Sequence, residues 1–413
     1  MKDFFKVISL DRIFEYIPEF PACGRETVSL FDATGRIAAS DIISNADLPN
    51  FNRATMDGYA VNAVSTFGAS GGSPAYLNIK GSVVMGEIPL FSIEPGEAAL
   101  ISTGGMLPEG SDSVIMVEHT EQICDTIDDT IIEAYKSVAP GGNMVEAGED
   151  IKKGSIILGC GQKIRPQEAG LLAAFGHETV AVYKKPIIGI ISTGDELCPA
   201  SVDPSPGKIR DINTYTLSAM VQKAGGIPLT FGIVKDDFDS LLAICTKALA
   251  ESDMVLISGG SSVGVRDLTI EVLSSMPDSS ILAHGISISP GKPTILAKIG
   301  NKAFWGMPGH VVSAMIVFAI VAKPFVEYIG GLASEYGRSW RLPAILRRNI
   351  SSSQGRTEFV RVRLVEEDGV LWAEPLLGKS TLINTMVKAD ALIELGLNVE
   401  GLDKGSKVSV ILL

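Results

Sequence analysis

At 413 residues the chain is longer than one ordinary hydrophobic core organises, and two to four domains are expected. Its 46% apolar and 20% charged residues describe a folded protein rather than a disordered one. A formal net charge of -13 excludes the broad basic surface of non-specific nucleic-acid binding, although loop amides and one or two lysines can still hold a small anion.

The five cysteines (Cys23, Cys124, Cys160, Cys198, Cys245) are odd in number, widely spaced and without a CxxC pair. Buried, reduced thiols are therefore expected, not a disulfide framework or a zinc knuckle. The first 14 residues carry Asp3, Lys6, Asp11 and Arg12 and lack the apolar core of a secretory signal. The longest membrane-like run, Val311 to Ala322, spans 12 residues before Lys323 and Pro324, short of the roughly 20 that a bilayer crossing needs. The chain reads as soluble and cytoplasmic, with neither nucleic acid nor membrane as a partner.

In chain order, Lys2 to Tyr16 has helical spacing and stops at Pro18 and Pro21. After the apolar stretch Val28 to Ala39 and the run "SDIISNADLPNFNRATMDGYAV", glycine and proline punctuate short β-branched runs such as Val114 to Val117 and Thr130 to Ile132 as far as about Pro140, the texture of a β-rich domain. "RPQEAGLLAAFG" reads as a short helix closed by Gly176. Beyond Lys185, uninterrupted apolar runs (Ile187 to Ile191, Met254 to Ile257, Ala303 to Trp305, and a shorter one at Thr230 to Val234) alternate with helical patterns at Thr214 to Ala224, Phe238 to Ala250, Leu268 to Met276 and Val311 to Ile329. Buried strands alternating with helices indicate a doubly wound parallel sheet. After Gly331, short strands and turns return, as in a small β-barrel. The expected class is α/β plus β. The expected domains are an N-terminal or linker domain (1–50 and 140–180), a β-rich domain (51–139), the α/β domain (181–331) and a C-terminal β-barrel (332–413).

Ligands of an open α/β sheet bind beyond the carboxyl ends of its strands. Three loops stand there: "ISTGDEL" with Thr193, Gly194, Asp195 and Glu196; "ISGGSSVGVRD" with Ser258, Gly259, Gly260, Ser262, Gly264 and Asp267; and "WGMPGHVVSA" with Pro308, Gly309, His310 and Ser313. Glycines with hydroxyl donors suit an oxyanion, and the same pattern also makes a tight turn with Asp267 as helix cap or metal ligand. Asp195 and Glu196 read as local caps or as part of a magnesium–phosphate site. Lys292 in "SPGKPT" is either a solvated lysine or a cation aimed by a rigid turn. Asp57 in "MDGYAV" is a turn former on local chemistry alone.

Taken together the motifs resemble one family. "MDGYAV" at 56–61, "STGG" at 102–105, "GED" at 148–150, "STGDEL" at 192–197, "GKIRDINT" at 207–214, "SGGSSVGVRD" at 258–267, "SPGKPT" at 289–294 and "PGHVVSA" at 308–314 follow the layout of the MoeA-type molybdopterin molybdenumtransferases. The resemblance covers nearly the whole chain. It implies a homodimer whose active site lies between the α/β domain of one subunit and the β-rich domain of the other, acting on adenylylated molybdopterin. Molybdenum from molybdate would enter the dithiolene, with magnesium present and AMP released. It places Asp57, Asp150, Glu196, Asp236 and Asp267 at the acidic site positions, with Asp57, Glu196 and Asp267 as metal ligands. Thr103 and Lys292 fall on polar contacts, and Lys208, Arg210, Ser262 and Ser313 are expected around molybdate. Two positions depart from the family: Ser289 stands where Arg or Lys is usual, and His310-Val311 where the family often reads Asn-Pro. His310 either replaces the missing cation or marks a site preferring tungstate.

Two other functions share this resemblance. The α/β domain is similar to molybdopterin adenylyltransferases, which could also be a contact partner, and gephyrin's E domain is a relative that clusters receptors as a scaffold. The MDGYAV domain and the β tail favour the insertase over the first, and the retained acidic positions favour it over the second.

Overall fold

A computed structural model describes residues 7–124, 130–259, 263–333 and 340–413, and only the backbone course of 124 and 263–267. The chain forms two compact units, Met1–Ser40 with Cys160–Ala169 and Glu178–Leu413, and Asp41–Gly159 with Gly170–His177.

The first unit is organised by a six-stranded sheet. In chain order its elements are β1 (Ile187–Thr193), α1 (Asn213–Lys223), β2 (Ile227–Val234), α2 (Phe238–Glu251), β3 (Met254–Gly259) and α3 (Val263–Ser275), followed by β4 (Ser279–His284), β5 (Ile295–Ile299), β6 (Lys302–Met307) and α4 (Val311–Ile329). The strands lie in the order β2-β1-β3-β6-β5-β4. The first four are parallel, and β5 and β4 each reverse direction against their neighbour. The uninterrupted apolar runs are explained by burial on both faces. Ile188, Ile190, Met254 and Leu256 join one core with Leu217, Trp305 and α4, while Ile191, Val255 and Ile257 join another with Leu241 and Cys245. From β1 the chain moves outward to β2 and then crosses back to β3. The carboxyl ends of β1 and β3 therefore flank the switch point where open sheets of this kind bind ligands.

Helix α4 runs straight through the Lys323 and Pro324 that the sequence reading took as its apolar limit. A π-helical stretch, Phe318–Ala322, precedes Pro324, which has no N–H for the helical ladder. At 19 residues and mean hydropathy 1.8 the helix could cross a bilayer by length and composition, yet 61% of it is buried inside the protein. Val312, Ile316, Phe318, Phe325 and Ile329 fill the first core.

Five strands close a barrel in the C-terminal region: Thr357–Glu367, Val370–Pro375, Arg341–Leu346, Lys407–Leu412 and Ala391–Leu395, the last pairing back onto the first. Ile288–Ser289 adds itself in parallel to Thr357 and Glu358. That pairing ties the turn carrying Lys292 to the barrel.

The second unit is built on another six-stranded sheet, in the order Ser113–Met116, Gly58–Val61, Glu97–Ile101, Ala75–Ser82, Thr130–Ala134 and Thr120–Cys124. Alternation again separates two cores, Ala60, Ala99 and Val114 on one face and Tyr59, Val61, Ala98 and Ile115 on the other.

Three local readings are corrected. The N-terminal helix is confined to Leu10–Phe14 among the described residues, with Ser9 accepting from the Arg12 N–H at its start. Helix α3 begins at Val263 rather than near Leu268, so Asp267 lies inside the first turns and is not its cap. Of the described thiols only Cys245 is buried, with Cys23 and Cys198 half-buried and Cys160 exposed.

Candidate substrate-binding site

At the carboxyl ends of β1, β3 and β6 opens a cleft of about 290 Å³, all of it within the first unit. Strand register puts Thr193 beside Gly259, and a Cβ at position 259 would stand 2.0 Å from the Thr193 carbonyl oxygen. Only glycine permits that approach, which leaves the floor of the cleft as bare backbone. Buried Thr193 donates its hydroxyl to Asp236, which follows β2. Glu196 folds back over the same strand end, since a Cβ at Gly194 would meet its carboxylate at 2.8 Å.

The loops are knitted together from α1. Asn213, nearly buried, donates through Nδ2 to the Ser258 hydroxyl at 2.6 Å and to the Gly309 carbonyl at 2.8 Å. Its Oδ1 is a buried acceptor with no partner among the described residues. Asp211 accepts from the backbone and hydroxyl of Thr214, whose oxygen lies 2.9 Å from the Ser192 hydroxyl. Sequence reasoning read these residues as part of a motif and assigned no role to Asn213 or Asp211.

One wall is the turn from Ser289 to Thr294. The Ser289–Pro290 peptide is cis, and Gly291 sits at φ +117 with its α-carbon facing α4, where a Cβ would approach Val317 Cγ2 to 2.4 Å. Thr294 closes the turn by donating to the Gly291 carbonyl at 2.6 Å. Lys292 is thereby held at the cleft with its side chain exposed. The barrel also contributes: Arg356 and Ser380, which carry no sequence motif, line the cleft with Ser313, Thr269 and His310. Arg356 Nε is buried without a hydrogen-bond partner among the described residues. His310 Nδ1 lies 2.8 Å from Ser380 Oγ.

The expected residues divide as follows. Thr193, Gly259, Lys292, Pro308, Gly309, His310 and Ser313 line this cleft. Ser258 is buried just behind it. Lys208 and Arg210 do not line it: Lys208 bonds the Asp195 carbonyl, and Arg210 bonds Ala200, Val202 and Asp203. Those local carbonyls satisfy the cations that a molybdate site was expected to use. Gly260, Ser262 and the side chains at Gly264 and Asp267 fall outside the described residues. In the second unit, exposed Asp57 accepts through Oδ1 from both the backbone N–H of Thr103 (2.7 Å) and its hydroxyl (3.1 Å). Asp150 sits exposed in a turn, its N–H donating to the Leu48 carbonyl. Among the described residues no three His, Cys, Asp or Glu side chains gather as a metal site.

Family models match the chain end to end. Residues 8–176 fit the MoeA N-terminal region (domains I and II), 189–328 the probable molybdopterin-binding domain, and 343–413 the MoeA C-terminal region (domain IV). A molybdopterin molybdenumtransferase of Bacillus subtilis is 31% identical, covering 98% of this chain and 94% of that one. The chain belongs to the MoeA family. A molybdopterin molybdenumtransferase of Haemophilus influenzae is likewise 31% identical, over 97% of this chain and 96% of its own length. The solved structure of a molybdopterin biosynthesis MoeA protein from Pyrococcus horikoshii superposes with a TM-score of 0.82 at 30% identity, covering 99% of this chain and 100% of that one. The MoeA architecture thus accounts for the α/β domain and the closed barrel together.

Proposed function

We propose that this MoeA protein is a molybdopterin molybdenumtransferase, moving molybdenum from molybdate to the dithiolene of adenylylated molybdopterin with release of AMP. The cleft is the observation that carries the reading. Lys292 and Arg356, brought from separate parts of the chain, share it with the hydroxyls of Ser313 and Ser380, and no carboxylate is among its described lining residues. Two cations and hydroxyl donors around one space suit a tetrahedral oxyanion such as molybdate or tungstate. Arg356 supplies the charge that Ser289 lacks. The bare strand ends at Thr193 and Gly259 suit a diphosphate, which needs close backbone approach.

Magnesium belongs to the same proposal. Glu196 and Asp236 both lie against the Thr193–Gly194 end of β1, a hard-oxygen donor set of the kind that ion prefers. Bound there it would offset the charge of the diphosphate, and Asp57, Asp150 and Asp267 are the further acidic groups of the proposed chemistry. Lys292 and Arg356 would orient the oxyanion, and the hydroxyls would donate to its oxygens. The proposal includes a cytoplasmic homodimer.

The test is reconstitution of an apo-molybdoenzyme with the purified protein, adenylylated molybdopterin, magnesium and molybdate, without ATP. Activation is expected. No activation from adenylylated molybdopterin, together with ATP-dependent adenylylation of molybdopterin itself, would identify an adenylyltransferase instead and overturn the reading.

A further inference from the structure

His310 occupies the N-cap position of α4, but its side chain makes no hydrogen bond to the helix. It is clasped instead to the barrel loop: its Nδ1 lies 2.8 Å from Ser380 Oγ, and the neighbouring Val312 N–H donates to the Ser380 carbonyl at 3.1 Å. Both side chains line the cleft with Lys292 and Arg356. A serine hydroxyl has one proton and two lone pairs. When Nδ1 accepts that proton, Ser380 turns only lone pairs toward the cleft, which repel an anion. The neutral Nδ1–H tautomer and the charged ring both donate to Ser380 Oγ and release the serine hydrogen for a ligand oxygen, but only the charged ring, with both nitrogens protonated, does so without an accepting alternative.

We propose that His310 is a positioning residue that sets the direction of the Ser380 hydroxyl and so makes oxyanion binding in this cleft depend on a proton. The inference rests on the reading of the cleft as an oxyanion site. The charged groups around the pair are Lys292 from the turn after Ser289, Arg356 from the barrel, and Lys379 beside Ser380. On α1 Asn213 holds the Gly309 carbonyl, just before α1 Asp211 is engaged by Thr214, and on α4 the first charged residue is Lys323. Lysine and arginine stay charged across neutral pH, so an imidazole is the side-chain type in this lining suited to couple anion binding to a proton. A bound oxyanion favours the protonated ring. By reciprocity the affinity falls as pH rises through the imidazole's titration, by up to about tenfold per pH unit for one linked proton.

The experiment measures sulfate and molybdate affinity of the full chain by calorimetry from about pH 5.5 to 8, within the range over which imidazoles change charge. Wild type is expected to weaken about tenfold or more across that range. His310→Asn, which can bond Ser380 but not titrate, should give a flat profile. Ser380→Ala should bind more weakly at the acid end and show a shallower slope. As a readout independent of any variant's folding, proton NMR of the four histidines of wild type should show the His310 titration moving to higher pH with saturating sulfate. Either variant keeping the wild-type slope, or a His310 titration unmoved by sulfate, overturns the proposal while leaving the oxyanion site standing. Wild type binding neither anion at any pH overturns both.

Discussion

Asp57 shows how a motif residue divides between anchor and charge. Its Oδ1 holds both donors of Thr103, which is a structural task, yet the proposed chemistry also asks for its negative charge. Two substitutions separate these tasks. Asp57→Asn keeps an acceptor at the same place, so hydrogen exchange at the Thr103 amide should stay near wild type, whereas Asp57→Ala should speed it about tenfold, the ratio for one ordinary hydrogen bond. AMP release should fall by about a hundredfold in Asp57→Asn if the charge serves the reaction; near-normal activity would leave Asp57 as anchor alone. Gly291 is a simpler case. With φ at +117 and Val317 2.4 Å from any added Cβ, Gly291→Ala should destabilise the first unit by about 1–3 kcal/mol in urea unfolding. An unchanged midpoint would show that the turn can relax and does not depend on glycine.

Among the elements, α4 carries the most consequences, because its N-terminus borders the cleft and its body fills the core. Glu327, near its end, is held above the usual carboxylate range by burial, with Lys323 and Lys163 opposing the shift. A carboxyl raised in this way contributes stability below its unfolded-state pKa, and that stability is lost as pH rises through the folded value. Glu327→Gln should therefore match wild type near pH 4 and exceed it at neutral pH, since the surface pair with Lys323 at 3.5 Å is worth little. Thermal melts at both pH values check this; a variant less stable at neutral pH would mean that the ion pair outweighs burial. Much of this architecture was legible in the residues. Runs such as Ile187 to Ile191 could only be strands buried on both faces, and glycine-rich loops after them marked the ligand end of the sheet. Arg356 and Ser380 were not legible, for they sit in irregular turns of the barrel with no motif around them. The pairing of Ile288–Ser289 with Thr357–Glu358, and the bonds to Ser380 from Val312 and His310, bring them to the cleft. Lys208 and Arg210, expected around molybdate from the resemblance, bond nearby carbonyls and the Asp203 carboxylate and do not line this cleft. In sequence Asp267 reads as helix cap or metal ligand; the helix runs through Gly264 and removes only the capping role.

For the whole molecule, the family supplies the chemistry and the cleft supplies the place where this chain would perform it. Two cations converge from the Ser289–Thr294 turn and from the barrel, so the α/β domain and the barrel share the lining of one cleft within the first unit. The most direct measurement is the rate of AMP release from adenylylated molybdopterin by the purified chain, with and without molybdate, for wild type, Lys292→Ala and Arg356→Ala. Wild type should release AMP in a molybdate-dependent manner, and each variant should need at least about tenfold more molybdate for half-maximal rate, the loss of one charge-assisted contact. AMP release that ignores molybdate, or variants with wild-type molybdate dependence, would contradict the assignment of this cleft as the oxyanion site of a molybdenumtransferase.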